Sequence, residues 1–255
     1  MRLFRQTYGN GDPLIIVHGL FGAGGNWASL ARKQFGRYFR TIVVDLRNHG
    51  RSPHSDVFDY SAMAQDLLEL LEDEHLPQAH FLGHSLGGKL GMHLALEHSE
   101  VVDRLIVADI APRAYEPRHE SIFRALESID PSLFESRPEI EAALQPMIPE
   151  EGLRQFLMKN LTREDGEFRW RINLPVIRAS YSDVLGVVES WNSFEGDTLF
   201  IRGMESGYLK EDDLPSIRAL FPFAEMKEMA GAGHWLHADD PDRFSNLVLD
   251  FLRAS

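Results

Sequence analysis

The sequence predicts an α/β fold: a mostly parallel central sheet with helices on both faces and a helical cap inserted late in the chain. Three observations carry this. Short apolar, β-branched runs recur and close on glycine or a polar turn. Amphipathic helical stretches lie between them. One long stretch, about residues 115–191, shows helical patterns and prolines but no clear buried strand. Alternating strands and helices imply a parallel sheet, because each crossover must return over a sheet face. The core is therefore assigned to residues 1–114 and 192–255, and the cap (lid) to residues 115–191.

The strands follow in order. Arg2–Gly9 alternates and suits an outer antiparallel strand. Pro13–Gly19, Tyr38–Leu46, Gln78–Ser85, Asp103–Pro112 and Asp197–Gly203 are apolar enough for buried strands, and Ala224–His234 holds a sixth. Asn26–Phe35, Tyr60–His75, Leu86–His98 and Asp240–Arg253 carry helical patterns. In Tyr60–His75 the residues Met63, Leu67, Leu70 and Leu71 share a face, with acids turned away, and Ser61 is the expected N-cap. In the cap, "HESIFRALESI", "RPEIEAALQPMI", "EEGLRQFLMKNL" and "SYSDVLGVVES" read as helices, and "GEFRWRINLPVI" as a short hairpin or loop.

Composition narrows the function classes. The chain has 255 residues, 44% hydrophobic and 25% charged, with a formal net charge of −13. Such a surface repels phosphate backbones and anionic lipid, so neither nucleic acid nor membrane is an expected partner. There are no cysteines, which excludes disulfides, zinc–thiolate sites and thiol nucleophiles. The opening residues lack the pattern of a signal peptide, and no stretch is long and apolar enough to span a bilayer. The expected location is cytoplasmic, and the expected state is monomer or homodimer.

The chemistry gathers at "FLGHSLGG". Gly83-His84-Ser85-Leu86-Gly87 fits G-x-S-x-G, which has meaning between a strand and a helix, and both flanks are present. A residue on that corner is strained, and the flanking glycines relieve the crowding. Its hydroxyl then projects at the C-terminal edge of the sheet, while the Leu86 N–H opens the helix and is free to hold an oxyanion. Ser85 is therefore the candidate nucleophile, against the blander reading of a glycine-rich turn.

A serine needs a base. His234, in "GAGHWLH" after the last strand, is the candidate, with His237 the runner-up and expected to be structural or at the site's rim. A carboxylate must orient the imidazole. Asp109 in "IVADIAP" and Glu205 in "FIRGMESGYL" are the options. Asp109 is favoured, because a carboxylate ending an apolar strand is costly without a purpose. Ser206 is expected to support Asp109 or His234 by a hydrogen bond. The second oxyanion donor is expected in "VHGLFG", at the Leu20 N–H, with Gly19 permitting close approach. Phe21 and Trp235 are expected to line the substrate pocket. His18 and His84 are read as packing and loop-orienting groups, and "DLRNHGRS" (Asp45–Ser52) as a structural turn.

Taken together, "HGLFG", "DLRNHGRS", "GHSLGG", "ADIAP" and "GAGHW" resemble the α/β-hydrolase superfamily over essentially the whole chain, and most closely the bacterial YbfF-type esterases. That resemblance implies a triad of Ser85, Asp109 and His234 with Ser206 as a fourth member. It implies a carboxylesterase, with acyl-CoA thioesters as a further substrate class, acting by two-step acyl transfer on a small-molecule ester or thioester. It needs no metal or organic cofactor. Cap residues Phe123, Phe134, Met147, Phe156, Met158, Trp170, Tyr181 and Trp191 are candidates for an acyl groove, although core packing is the commoner use of such side chains. Arg113, Arg118, Arg124 and Lys159 are candidates for a CoA phosphate. Ser85 argues against the haloalkane dehalogenases and epoxide hydrolases, which place a carboxylate at this corner. Carbon–carbon bond hydrolases, cofactor-free haloperoxidases and a non-catalytic ligand-binding protein remain alternatives.

Overall fold

The computed structural model describes residues 1–254. Among these, nine strands form two sheets. The large sheet contains β1 (Arg5–Tyr8), β2 (Pro13–Val17), β3 (Arg40–Val44), β4 (Ala79–His84), β5 (Val102–Ala108), β8 (Thr198–Gly203) and β9 (Ala224–Met229) in the order β1-β3-β2-β4-β5-β8-β9. Only β1 runs antiparallel, against β3; every other pairing in this sheet is parallel. The smaller sheet is a hairpin of β6 (Leu161–Glu164) and β7 (Glu167–Trp170).

The helices are α1 (Ala28–Lys33), α2 (Tyr60–Asp73), α3 (Leu86–Glu97), α4 (Glu120–Glu127), α5 (Arg137–Leu144), α6 (Glu151–Met158), α7 (Leu174–Ala179), α8 (Tyr181–Leu185), α9 (Leu214–Leu220), α10 (Leu236–Asp239) and α11 (Pro241–Arg253). Strand side chains alternate between the two sheet faces. Leu14, Ile16, Val43, Leu82, Ile106 and Ile201 pack with Trp27, Phe35, Phe244 and Val248 from the α1 and α11 side. Ile15, Val17, Ile42, Phe81, Leu105 and Val107 face α2 and α3 on the other. Burying each such side chain contributes about 1.5–3 kcal/mol, which is why these strands show no polar alternation.

Two details differ from expectation. The N-cap of α2 is Asp59, not Ser61: Asp59 has extended backbone and accepts the Ala62 N–H at 2.7 Å, which leaves Ser61 inside the first turn. In the segment between β5 and β8, the hairpin or loop expected in "GEFRWRINLPVI" is a hairpin that begins earlier, pairing Leu161–Glu164 with Glu167–Trp170, so that Leu161, read as the end of a helix, starts its first strand. Its two-residue turn is Asp165–Gly166, both at positive φ (51° and 89°), the geometry that an Asp-Gly pair suits. Ile122, Phe123, Ile140, Leu157 and Leu174 of this segment join the same apolar cluster as α2 and α3, so the segment is packed onto the core rather than hung beside it.

Candidate active site

The parallel strands all end at one edge, and the corner between β4 and α3 lies at its centre. Ser85 occupies that corner at φ 53°, ψ −115°, a conformation that a side chain tolerates only under constraint. Its N–H donates to the Ala108 carbonyl at 3.0 Å and its carbonyl accepts from Lys89 N–H at 3.0 Å. The glycines are required sterically. A Cβ on Gly83 would collide with the Gly87 carbonyl, and one on Gly87 with the Val17 carbonyl. A Cβ on Gly19 would stand 2.9 Å from His84 Nδ1 and 3.2 Å from Ser85 Cβ.

Asp109 follows β5, also at positive φ (51°), and is fully buried. Three donors hold its carboxylate. Gly203 N–H reaches Oδ1 at 3.0 Å, and the Ser206 hydroxyl and His234 Nδ1–H both reach Oδ2, the histidine at 2.7 Å. Donors in this number satisfy the hydrogen-bonding capacity of a buried carboxylate, which would be costly to leave unpaired. Glu205, the alternative acid, is exposed to solvent. His234 and Ser85 line one cavity of about 300 Å³, together with Leu20, Phe21 and Trp235. Because Nδ1 is committed to Asp109, Nε2 is the nitrogen left to meet the serine.

The remaining histidines have separate tasks. His84 Nε2–H donates to the His234 carbonyl at 2.7 Å, anchoring the loop that carries that imidazole. Burial holds its pKa well below the ordinary value. His18 Nε2 accepts the Leu46 N–H at 3.0 Å, so its proton sits on Nδ1 and is donated to the Gly19 carbonyl at 2.8 Å. The same carbonyl accepts the Gly22 N–H at 3.0 Å, and these two bonds set the Gly19–Gly22 turn that presents Leu20 beside Ser85. His237 is buried, stacked on Trp27 with ring centroids 4.1 Å apart, and pushed by burial down to about 3. Asp45 is part of a turn, accepting from Gly24 N–H at 2.6 Å and Arg51 N–H at 2.8 Å.

The structure adds residues that sequence reasoning missed. The Tyr208 ring stacks on His234. His119, just before α4, lines the same cavity, and its Nδ1 lies 2.7 Å from the Tyr181 hydroxyl. That hydroxyl already accepts the Arg118 and His119 N–H groups at 3.2 and 3.3 Å, so its own proton goes to Nδ1, and His119 carries its proton on Nε2. Burial lowers the His119 pKa to about 4. Tyr208 was in view, two positions from Ser206; His119 sits in a stretch whose periodicity marks no site.

The groove and phosphate expectations narrow. Of the eight residues named for an acyl groove, Phe156 lines the cavity, whereas Phe123, Met158 and Tyr181 are buried in the apolar interior and Trp191 is fully exposed. Arg113 is paired with Asp213 at 2.8 Å and Arg124 with Glu120 at 2.9 Å, and Lys159 lies at a separate surface depression. Arg118 is the one of these four at the cavity. Among the described residues, no group of three or more His, Asp or Glu side chains is arranged to hold a metal ion, and no helix is long and apolar enough to cross a membrane.

A parallel sheet with a serine elbow after a central strand, a histidine on the loop after its last strand and a buried carboxylate between them defines an α/β protein of the hydrolase type. Residues 14–247 match the Alpha/beta hydrolase family, and the chain belongs to it. It is 39% identical over 252 residues to the sn-1-specific diacylglycerol lipase ABHD11 of Danio rerio, covering 96% of this chain and 80% of that protein. It is 39% identical over 248 residues to Esterase YbfF of Escherichia coli (strain K12), covering 97% and 95%. A solved structure titled "Marine microorganism esterase" superposes with a TM-score of 0.96 at 40% identity, covering 98% of this chain and 99% of that one.

Proposed function

We propose that the chain cleaves carboxylic esters through an acyl-enzyme on Ser85, with His234 as base and Asp109 as the acid that holds it. The observation that carries this is the 2.7 Å bond from His234 Nδ1 to the buried Asp109, beside a cavity that His234 shares with Ser85. The enzyme is a carboxylester hydrolase, a class supported by relatives named as an esterase and a diacylglycerol lipase.

Ser85 Oγ attacks the carbonyl carbon and its proton passes to His234 Nε2. Negative charge on the carbonyl oxygen is held by the N–H of Leu86, which as the first residue of α3 has no acceptor within the helix, and by that of Leu20. The carbon–oxygen bond to the alcohol breaks, and the Nε2 proton goes to the departing oxygen. Water then attacks the acyl-enzyme by the same steps. Asp109 stays ionised and stabilises the imidazolium, while Ser206 and Gly203 hold the carboxylate in place. An acyl-CoA thioester follows the same course with a thiol as leaving group. Residues 115–191 act as a cap (lid) over a core of residues 1–114 and 192–255, with Phe21 and Trp235 in the substrate pocket.

The test is hydrolysis of p-nitrophenyl esters and acyl-CoA thioesters by wild type and Ser85→Ala, beside labelling with a fluorophosphonate. Turnover and labelling are expected in wild type and absent in the variant. Persistent labelling of a folded Ser85→Ala protein places the nucleophile elsewhere, and a folded wild type inert on every ester points to carbon–carbon hydrolysis or to binding without turnover.

A further inference from the structure

Ser85 stands between two compartments, not one. Besides the cavity of about 300 Å³, a second of about 30 Å³ lies over α3 and under α8, lined by Ser85, Leu86, Lys89, Ile110, Val184 and Leu185. Leu20, His119 and Tyr208 border both. We infer that the small compartment holds the acyl group and the large one the leaving group, so that this enzyme takes short-acyl esters of bulky alcohols. This deepens the proposed function and rests on its reading of Ser85 and His234.

The assignment follows from the chemistry of the second half-step. The leaving oxygen must be protonated by His234, so the leaving group lies on the side that His234 lines. His234 lines the large compartment and is not among the residues of the small one. The acyl carbon stays bonded to Ser85 Oγ with its oxygen toward Leu20 and Leu86, and Leu86 lines only the small compartment. The bond formed is Oγ–C and the bond broken is C–O of the alcohol, whose oxygen takes the histidine's proton.

The size of the small compartment sets the limit. A single water needs about 10–15 Å³ on this measure, so about 30 Å³ admits an acetyl to roughly a butyryl chain. Its roof is fastened. The Tyr60 hydroxyl donates to the Val184 carbonyl at 2.7 Å, and Tyr115 N–H to the Leu185 carbonyl at 3.0 Å. The Lys89 ammonium, itself buried, donates to the carbonyls of Leu185 and Gly186. Releasing that roof would strand buried donors, so the compartment does not widen cheaply for a longer chain.

The test uses two ester series on the intact protein. In p-nitrophenyl esters, kcat/KM should fall by about tenfold or more from butyrate to octanoate, a size of penalty that a closed apolar pocket imposes. In acetate esters of alcohols from ethanol to 2-naphthol, kcat/KM should hold or rise. Val184→Ala should raise the octanoate-to-acetate ratio by widening the small compartment, and Lys89→Met should do so by freeing its roof. Ser85-dependent turnover with a flat or rising acyl profile, or with loss along the alcohol series instead, overturns the compartment assignment alone. Absence of Ser85-dependent turnover on every ester in both series overturns the reading of the site beneath it.

Discussion

The ring of Tyr208 lies stacked on the imidazole of His234, with centroids 4.0 Å apart and planes 22° from parallel. Asp109 fixes one edge of the imidazole, and Tyr208 fixes its plane. The tyrosine hydroxyl lies 3.4 Å from His119 Nε2, so a residue just ahead of α4 bears on the histidine through the ring between them. Stacking of aromatic rings is worth about 0.5–1.5 kcal/mol, so Tyr208→Ala should lower kcat by about two- to tenfold. Tyr208→Phe, which keeps the stack, should recover most of that loss. Steady-state kinetics on a short activated ester checks both, and equal losses in the two variants would assign the effect to the hydroxyl.

Asp109 and Glu205 separate cleanly by substitution. Asp109→Asn should reduce kcat by about three to four orders of magnitude, because an amide leaves the imidazole in the wrong tautomer. Glu205→Gln alters an exposed side chain and should stay within about twofold, as surface substitutions do. The reverse ranking would move the acid to the strand β8 loop.

Ser206 and His234 share one oxygen of Asp109. Ser206→Ala removes a hydrogen bond to a buried charge, an interaction worth about 1.5–3 kcal/mol, and should lower kcat by about tenfold with little change in KM. An effect on KM alone would place Ser206 against the substrate rather than behind the acid.

Buried histidines make stability depend on acid. Burial pushes His18, His49 and His237 down to about 4, about 3 and about 3, against about 6.5 in the unfolded chain. Above about pH 6.5 both states are unprotonated and stability is full. As pH falls through the window toward those values, the unfolded chain binds protons that the native state does not, and stability declines. His237→Phe keeps a ring against Trp27 and removes one such group. Urea unfolding followed across pH should then show a slope near pH 5 shallower by about one proton. An unchanged slope would mean that His237 is not held neutral by burial.

Much of the sheet was legible because each strand carries its own signal. Leu14–Val17 and Leu105–Ala108 are apolar on both faces, which only a sheet covered on both sides requires. The elbow was legible for a partly local reason: Gly83 answers to the Gly87 backbone four residues on, although Gly87 answers to the Val17 carbonyl of a neighbouring strand. Other features were not. Ser61 was the expected cap of α2, but Asp59, two positions earlier, takes that place, because the chain turns into the helix there. The hairpin at Asp165–Gly166 was half in view: its second strand lies in the stretch read as a short hairpin or loop, whereas Leu161 of its first was taken as the end of a helix, because strands of four residues carry little pattern of their own.

By itself the sequence determined the strand–helix alternation, the strained corner at Ser85 and the three residue types that a serine hydrolase needs. These rest on local sterics and on burial patterns that repeat along the chain. Only the tertiary structure decided what surrounds them. His119 meets Tyr208 across 89 positions, His84 reaches the His234 carbonyl across 150, and Lys89 reaches the α8 carbonyls across 96. Such contacts arise from how segments far apart in the chain meet at the sheet edge, a matter of packing many side chains at once, and no local periodicity encodes which of them will touch.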